Sequence, residues 1–160
     1  MSNDLLTPSL TREHYREIKT YDISKLFYVA FLGGMIPLIV LGCRNANWLQ
    51  VDKKVIALMT MLGVAVLLTM LTLAGLSAGK YLNYEKTTIR LMYNAACVLF
   101  YLGYYLLMQK KFKQHILLGG DTEPLLKSAA IWWLVGLVIE AGVVVSIFFL
   151  VKKGIIGYVL

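Results

Sequence analysis

The chain has 160 residues, of which 59% are hydrophobic and 16% are charged. A mean hydropathy of +0.69 leaves too little polar material to cover a soluble globule of this length, whereas several membrane spans would absorb the apolar surplus. The net charge of +7 could suggest nucleic acid as a partner, but the basic residues stand at the ends of apolar runs, where they would meet lipid headgroups. The composition predicts an integral membrane protein in contact with the lipid bilayer, and no nucleic-acid binding.

Four apolar runs follow a polar N-terminal tail at residues 1–22. Each run is close to the 17–25 residues that a helix needs to cross a hydrocarbon core of about 30 Å. We therefore predict an all-α, four-transmembrane-helix bundle as one domain over residues 23–160. The predicted spans lie at 26–43, 55–78, 91–108 and 128–151.

The first run contains residues that disturb a helix, namely Gly33, Gly34 and Pro37. Glycines allow a neighbouring helix to approach closely, and a proline removes one backbone donor and clashes with the preceding turn. The sequence predicts a kink between residues 33 and 37. Two interpretations stay open, a notch for helix packing and a break in the helix that lines a substrate path.

Small side chains in the second run suggest a close helix crossing. Gly75 and Gly79 have the GxxxG spacing that supports such crossings near the end of the run.

The third run carries two polar stripes. Asn94 and Tyr101 lie seven residues apart on one helical face, and Tyr93, Cys97 and Tyr104 form the adjoining stripe. Asn94 and Tyr101 lie deep enough in the run to need hydrogen-bond partners inside the protein.

A basic cluster, Lys110, Lys111 and Lys113, opens the third connector. Its first half is expected to continue the third helix into the headgroup region as an amphipathic turn. We expect these lysines to contact lipid headgroups, and a specific lipid or anion pocket is the alternative.

The fourth run has a single acid, Glu140, near its centre. A carboxyl group at that depth is either protonated or turned towards polar partners. Threading the runs as antiparallel helices at about 1.5 Å per residue places Glu140 level with the middle of the other runs. We predict an intramembrane polar cluster of Glu140 with Asn94, Tyr101 or Thr69, and Gly136 one turn earlier leaves space for the partner side chain.

Three functions compete for this central acid. In the first, the chain is a non-catalytic subunit of a membrane complex, and Glu140 fixes helix packing or contacts a partner protein or a second copy. In the second, Glu140 carries protons or cations through an oligomeric channel or small transporter. The third, a membrane enzyme, lacks support because HExxH, GxSxG and phosphate-loop motifs are absent from the sequence. We predict no catalytic residue, no metal site and no cofactor.

The distribution of Lys and Arg predicts the orientation of the four spans. The tail, the second connector and the C-terminus would share one side with nine Lys or Arg, against seven in the first and third connectors. The excess places the N-terminus in the cytoplasm, in a multi-pass protein of the cell membrane.

Two stretches carry a resemblance. YDISKLFYVAFLGGMIP, with Asn45 and Asn47 after it, and QHILLGGDTEPLLKSAAIWW cover about a third of the chain. They resemble a group of small bacterial four-helix membrane proteins whose first helix carries an aromatic-x-Gly-Gly-Pro signal. Here Met35 and Ile36 separate the glycines from Pro37. The resemblance implies a bacterial four-span protein and assigns no functional residue.

Overall fold

Helices make up most of the chain. The structure is a computed structural model, and it describes residues 19–78 and 85–153. The helical elements are α1 (Ile23–Gly33), α2 (Met35–Trp48), α3 (Lys53–Ala78), α4 (Lys86–Leu117) and α5 (Leu125–Lys152). Two short strands, β1 (Thr20–Tyr21) and β2 (Thr122–Glu123), form a parallel pair. The predicted all-α class is confirmed.

Within the described residues, three helices are long and apolar enough to cross a membrane. They are α3, α4 and α5, and they cover the stretches predicted as spans at 55–78, 91–108 and 128–151. α4 extends to Leu117, because the lysine-rich start of the third connector continues the helix as expected.

The first apolar run behaves differently, since it reverses direction. If α1 and α2 formed one straight helix, the 24 residues from Tyr21 to Asn45 would separate these two residues by about 36 Å. Instead, the Tyr21 amide donates to Asn45 Oδ1 at 2.8 Å, and Asn45 Nδ2 donates to the Tyr21 carbonyl at 3.2 Å. The single span predicted at 26–43 is therefore wrong. The run is a helical hairpin whose two ends lie together.

We call the place where these two ends meet the hairpin end of the bundle. The Tyr21 hydroxyl lies 3.1 Å from Ser128 Oγ in the first turns of α5. β1 pairs here with β2, and Lys19 forms an ion pair of 3.0 Å with Glu123. The chain before the hairpin, the start of α5 and the connector between α4 and α5 therefore meet at one end.

The hairpin changes the predicted arrangement of the connectors. α3 and α5 start at the hairpin end and run to the far end, and α4 returns. Lys19 thus lies with the first and third connectors, whereas the prediction from four spans placed the tail with the second connector and the C-terminus. The physical reason is that a hairpin returns the chain to the end where it entered. Relative to Lys19, each later connector therefore lies at the end opposite to the one predicted from four spans.

The core forms where the hairpin packs among the three long helices. Leu26, Ala30, Leu38 and Leu41 of the hairpin are completely buried. α4 contributes a buried stripe at intervals of four and seven residues, consisting of Cys97, Tyr104, Met108 and His115. Large aliphatic side chains on the outer faces of the long helices are exposed, as expected for helices that would face lipid.

Candidate functional site: the hairpin tip

The hairpin turns at Gly34, where the backbone has φ 84° and ψ −169°. These angles lie in a region that is essentially restricted to glycine. Before the turn, α1 ends in a π-helical turn, Val29–Gly33, and after the turn α2 begins at Met35. The break lies inside the stretch predicted to kink, but it is a reversal of the chain and not a bend in one helix.

The tip is held by a chain of two hydrogen bonds. The Met35 amide, the first N–H of α2, donates to the Tyr93 hydroxyl at 2.9 Å. Tyr93 in turn donates its own proton to Glu140 Oε1 at 2.5 Å. The tyrosine hydroxyl therefore uses both its donor and an acceptor position, and it connects the hairpin, α4 and α5.

Helix polarity favours the same arrangement. The first N–H groups of a helix have no partner within the helix, and together they carry about half a positive charge. Tyr93 satisfies one of them at Met35 and directs this positive end of α2 towards the Glu140 carboxyl group. Pro37 lies in the same first turn and has no N–H to satisfy.

The tip approaches closely to its surroundings. A Cβ at Gly34 would lie 2.9 Å from the Tyr93 hydroxyl oxygen and 3.4 Å from Glu140 Oε1. On α5, a Cβ at Gly136 would lie 3.1 Å from Pro37 Cδ. Gly136 was predicted to leave space for the side chain that partners Glu140, but the hairpin occupies this space with Pro37 and Ile36, and the partner is Tyr93 of α4.

The predicted partners of Glu140 lie elsewhere. Thr69 is exposed and its hydroxyl donates to the Ala65 carbonyl of its own helix at 2.9 Å. Tyr101 packs edge-to-face on Phe27, with ring centroids 5.6 Å apart, nearer the hairpin end. Asn94 is half-buried, and in the structure Tyr93 takes the place that was predicted for it.

The predicted partner, Asn94, is wrong in the direction in which its side chain leaves α4 and not in its depth along the helix. Tyr93 and Asn94 are neighbours in sequence, so their side chains leave α4 about 100° apart at almost the same height. The stripe with Tyr93, Cys97 and Tyr104 faces the core, and both Cys97 and Tyr104 are at most 1% exposed. Tyr101 of the other stripe is also buried, with 8% exposure, so both stripes contact the rest of the protein, and the position of the hairpin determines which side chain reaches Glu140.

The other predicted residues lie at close backbone contacts or at the end of α4, and one of them lies outside the described residues. Gly33 and Gly34 form the turn, and a Cβ at Gly75 would overlap Ile147 of α5, in agreement with close packing there. Gly79 lies outside the described residues. Lys110, Lys111 and Lys113 are exposed on the last turns of α4, and Lys111 also hydrogen bonds to the Gln50 carbonyl.

No cluster of three or more His, Cys, Asp or Glu side chains suited to a metal ion occurs in the part of the chain that the structure describes. Comparison of the chain with protein families, with curated proteins and with solved structures found no match. The candidate site therefore depends on the geometry of Gly34, Met35, Tyr93 and Glu140 alone.

Proposed function

We propose that the chain is a multi-pass membrane protein with three spans and one re-entrant hairpin, and that it is a non-catalytic subunit of a membrane assembly. The bond from Tyr93 to Glu140 carries this proposal, because it gives a mid-helix carboxyl group a partner inside the protein. α1 has 11 residues and is about 17 Å long, so its tip would reach the middle of a hydrocarbon core of about 30 Å. Non-helical backbone is tolerated at that depth only where protein surrounds it or water reaches it.

The assembly part of the proposal concerns α5, because its apolar segment is less buried within the chain than those of α3 and α4. Ile131, Leu134 and Val138 are 62%, 59% and 70% exposed, and they form a continuous apolar stripe. The opposite face of α5 is the one that carries Gly136 and Glu140. We propose that this stripe packs against a partner protein or a second copy of the chain within the bilayer.

Purification in mild detergent tests the assembly. The full chain should migrate as a complex of fixed stoichiometry, and Val138→Phe should dissociate it because added bulk disturbs helix packing but not contact with lipid. Leu99→Phe is the matched control, since Leu99 is 68% exposed on α4. A monodisperse monomer of the unmodified chain, or equal effects of both substitutions, would contradict the subunit proposal.

Substitutions of Glu140 test its role as a packing contact. Glu140→Gln keeps an oxygen that accepts the Tyr93 proton, so folding and assembly should persist. Glu140→Leu leaves the Tyr93 donor without a partner, at a cost of about 1–3 kcal/mol. Thermal unfolding in detergent measures the difference, and equal midpoints for both variants would count against the packing role.

A second function, conduction of protons or cations, is favoured by one observation at the same site. The Tyr93 hydroxyl both donates and accepts, and it joins a mid-span carboxyl group to a broken helix, as in the ion sites of several transporter folds. Proteoliposomes loaded with a pH-sensitive dye test this function. Flux that is lost in Glu140→Gln would favour conduction, and flux that is unchanged by this substitution would remove Glu140 from the pathway.

A further inference from the structure

A groove lies at the hairpin end, away from the tip. It encloses about 490 Å³ between the last turns of α2 and α4, which is within the range of about 300–1,000 Å³ for small-ligand sites. Trp48, at the end of α2, forms one wall, and residues from the end of α4 form the other. Trp and Tyr are enriched at the level of the lipid headgroups in membrane proteins, and Trp48 is at the position where α2 ends.

The α4 wall has two chemically different parts. Lys111, Gln114 and His115 supply polar atoms, and Leu117 and Leu118 supply an apolar surface. Leu117 is 85% exposed and Leu118 is 43% exposed. Leu117 follows Lys111 by six residues in the helix that leaves the predicted span, so it lies about 9 Å farther from the hydrocarbon core, and the polar part is the one at the level of the lipid phosphates.

The shape of the polar part is fixed by the surrounding chain. The His115 ring is 3% exposed, and Nε2 lies 3.4 Å from the Asp121 carbonyl oxygen. A Cβ at Gly120 would overlap the imidazole, so only glycine lets the connector close over the ring. Lys111 Nζ donates to the Gln50 carbonyl, which holds the ammonium group at the groove while two of its three donors stay available.

The charge balance of the groove favours an anion. α2 and α4 both end here, and the C-terminus of each helix carries about half a negative charge. Part of that charge is already satisfied, because Gln50 N donates to Asn47 O and Gly119 N to Ile116 O, both at 3.0 Å. Lys111 supplies a full positive charge, none of the residues that line the groove is acidic, and this charge exceeds the partial negative charge that remains.

We propose that this groove binds the phosphate headgroup of one anionic phospholipid at Lys111 and Gln114, at the level that Trp48 marks. The inference rests on the proposed membrane location but not on the subunit role or on Glu140. Lipid binding in detergent is measured separately from assembly, so one proposal can fail without the other.

Native mass spectrometry of the full chain in a non-ionic detergent tests the site, with dioleoylphosphatidylglycerol and dioleoylphosphatidylcholine as probes. We expect one phosphatidylglycerol to bind at least about fivefold more tightly than phosphatidylcholine. Lys111→Met should weaken phosphatidylglycerol binding about fivefold, the factor that corresponds to about 1 kcal/mol per lysine. Lys113→Met, an exposed neighbour that does not line the groove, should change it less than about twofold.

Gln114→Leu provides a second variant that leaves the bond from Lys111 to Gln50 intact, and it should also weaken phosphatidylglycerol binding. An equal loss in Lys111→Met and Lys113→Met would overturn the proposal, because it would indicate diffuse surface charge. Equal affinity for the two lipids would overturn it as well. Displacement of the lipid by millimolar inorganic phosphate would assign the groove to free phosphate instead of a lipid.

Discussion

Gly34 is the residue on which the hairpin depends most directly. Its φ of 84° and ψ of −169° cost an L-residue about 1–3 kcal/mol, and a Cβ would also press on the Tyr93 hydroxyl. We expect Gly34→Ala to lower the free energy of unfolding by this amount, and thermal unfolding in detergent should show it as a lower midpoint. Gly142→Ala is the control, since a Cβ there meets no atom within 4 Å. Equal midpoints for the two variants would show that the turn does not have this backbone conformation.

Tyr93 is the second residue with a measurable role, because one hydroxyl serves two partners. Tyr93→Phe removes the acceptor for the Met35 amide and the donor to Glu140, so two groups lose a partner at about 1–3 kcal/mol each. Thermal unfolding should reveal the loss. Tyr105→Phe, at a half-buried tyrosine of the same helix, should change the midpoint by less than a third as much, and a comparable loss in both variants would contradict the role of Tyr93.

The sequence could identify Glu140 as a site but not its partner. An acid in an apolar run is conspicuous by composition alone, and its depth follows from the helical rise. The choice between Tyr93 and Asn94 depends on which face of α4 the hairpin covers. That information lies in contacts between distant segments, which the periodicity of one helix does not contain.

At the scale of elements, the hairpin explains why the hydropathy of the first apolar run predicted one full span where the structure has two shorter helices. Hydropathy measures the transfer of a segment to an apolar phase and is insensitive to chain direction. Two half-length helices that enter and leave at one end have the same composition as one full span. Only the glycine pair and Pro37 hinted at the difference, and the same residues are also typical of simple packing notches.

Docking of α1 against α2 should depend on Asn45. Its buried amide side chain makes two hydrogen bonds to the Tyr21 backbone. We expect Asn45→Ala to reduce protection of the Tyr21 amide from hydrogen exchange at least about tenfold, which corresponds to about 1.4 kcal/mol. The exposed Asn47 is the matched control, and Asn47→Ala should leave this protection unchanged. Equal exchange in both variants would mean that Asn45 does not hold the two arms together.

The long helices α3 and α5 should retain their protection in Asn45→Ala. They pack on each other at Gly75 and Ile147, far from the hairpin end. A loss of protection throughout all helices would instead indicate that the hairpin and the long helices unfold as one unit.

At the scale of the whole molecule, the hairpin strengthens the charge asymmetry between the two ends. Of the Lys and Arg residues that the structure describes, nine lie at the hairpin end and four at the far end. The far-end residues are Lys86, Arg90, Lys152 and Lys153. From this excess we propose that the hairpin end, with Lys19, is cytoplasmic and that Lys153 lies on the opposite side. The nearly balanced counts for four spans gave a much weaker preference.

Labelling of single cysteines tests the three-span topology with its re-entrant hairpin most directly. Both native cysteines are free, so Cys43→Ser and Cys97→Ala first remove them. Into this cysteine-free chain we would introduce one cysteine at a time, by Lys19→Cys, Asp121→Cys or Lys153→Cys. A membrane-impermeant maleimide is then added to right-side-out and to inverted vesicles. With the hairpin in place, we expect positions 19 and 121 to react from one side and position 153 from the other. Reaction of positions 19 and 153 from the same side, with position 121 opposite, would show four full spans and contradict the hairpin.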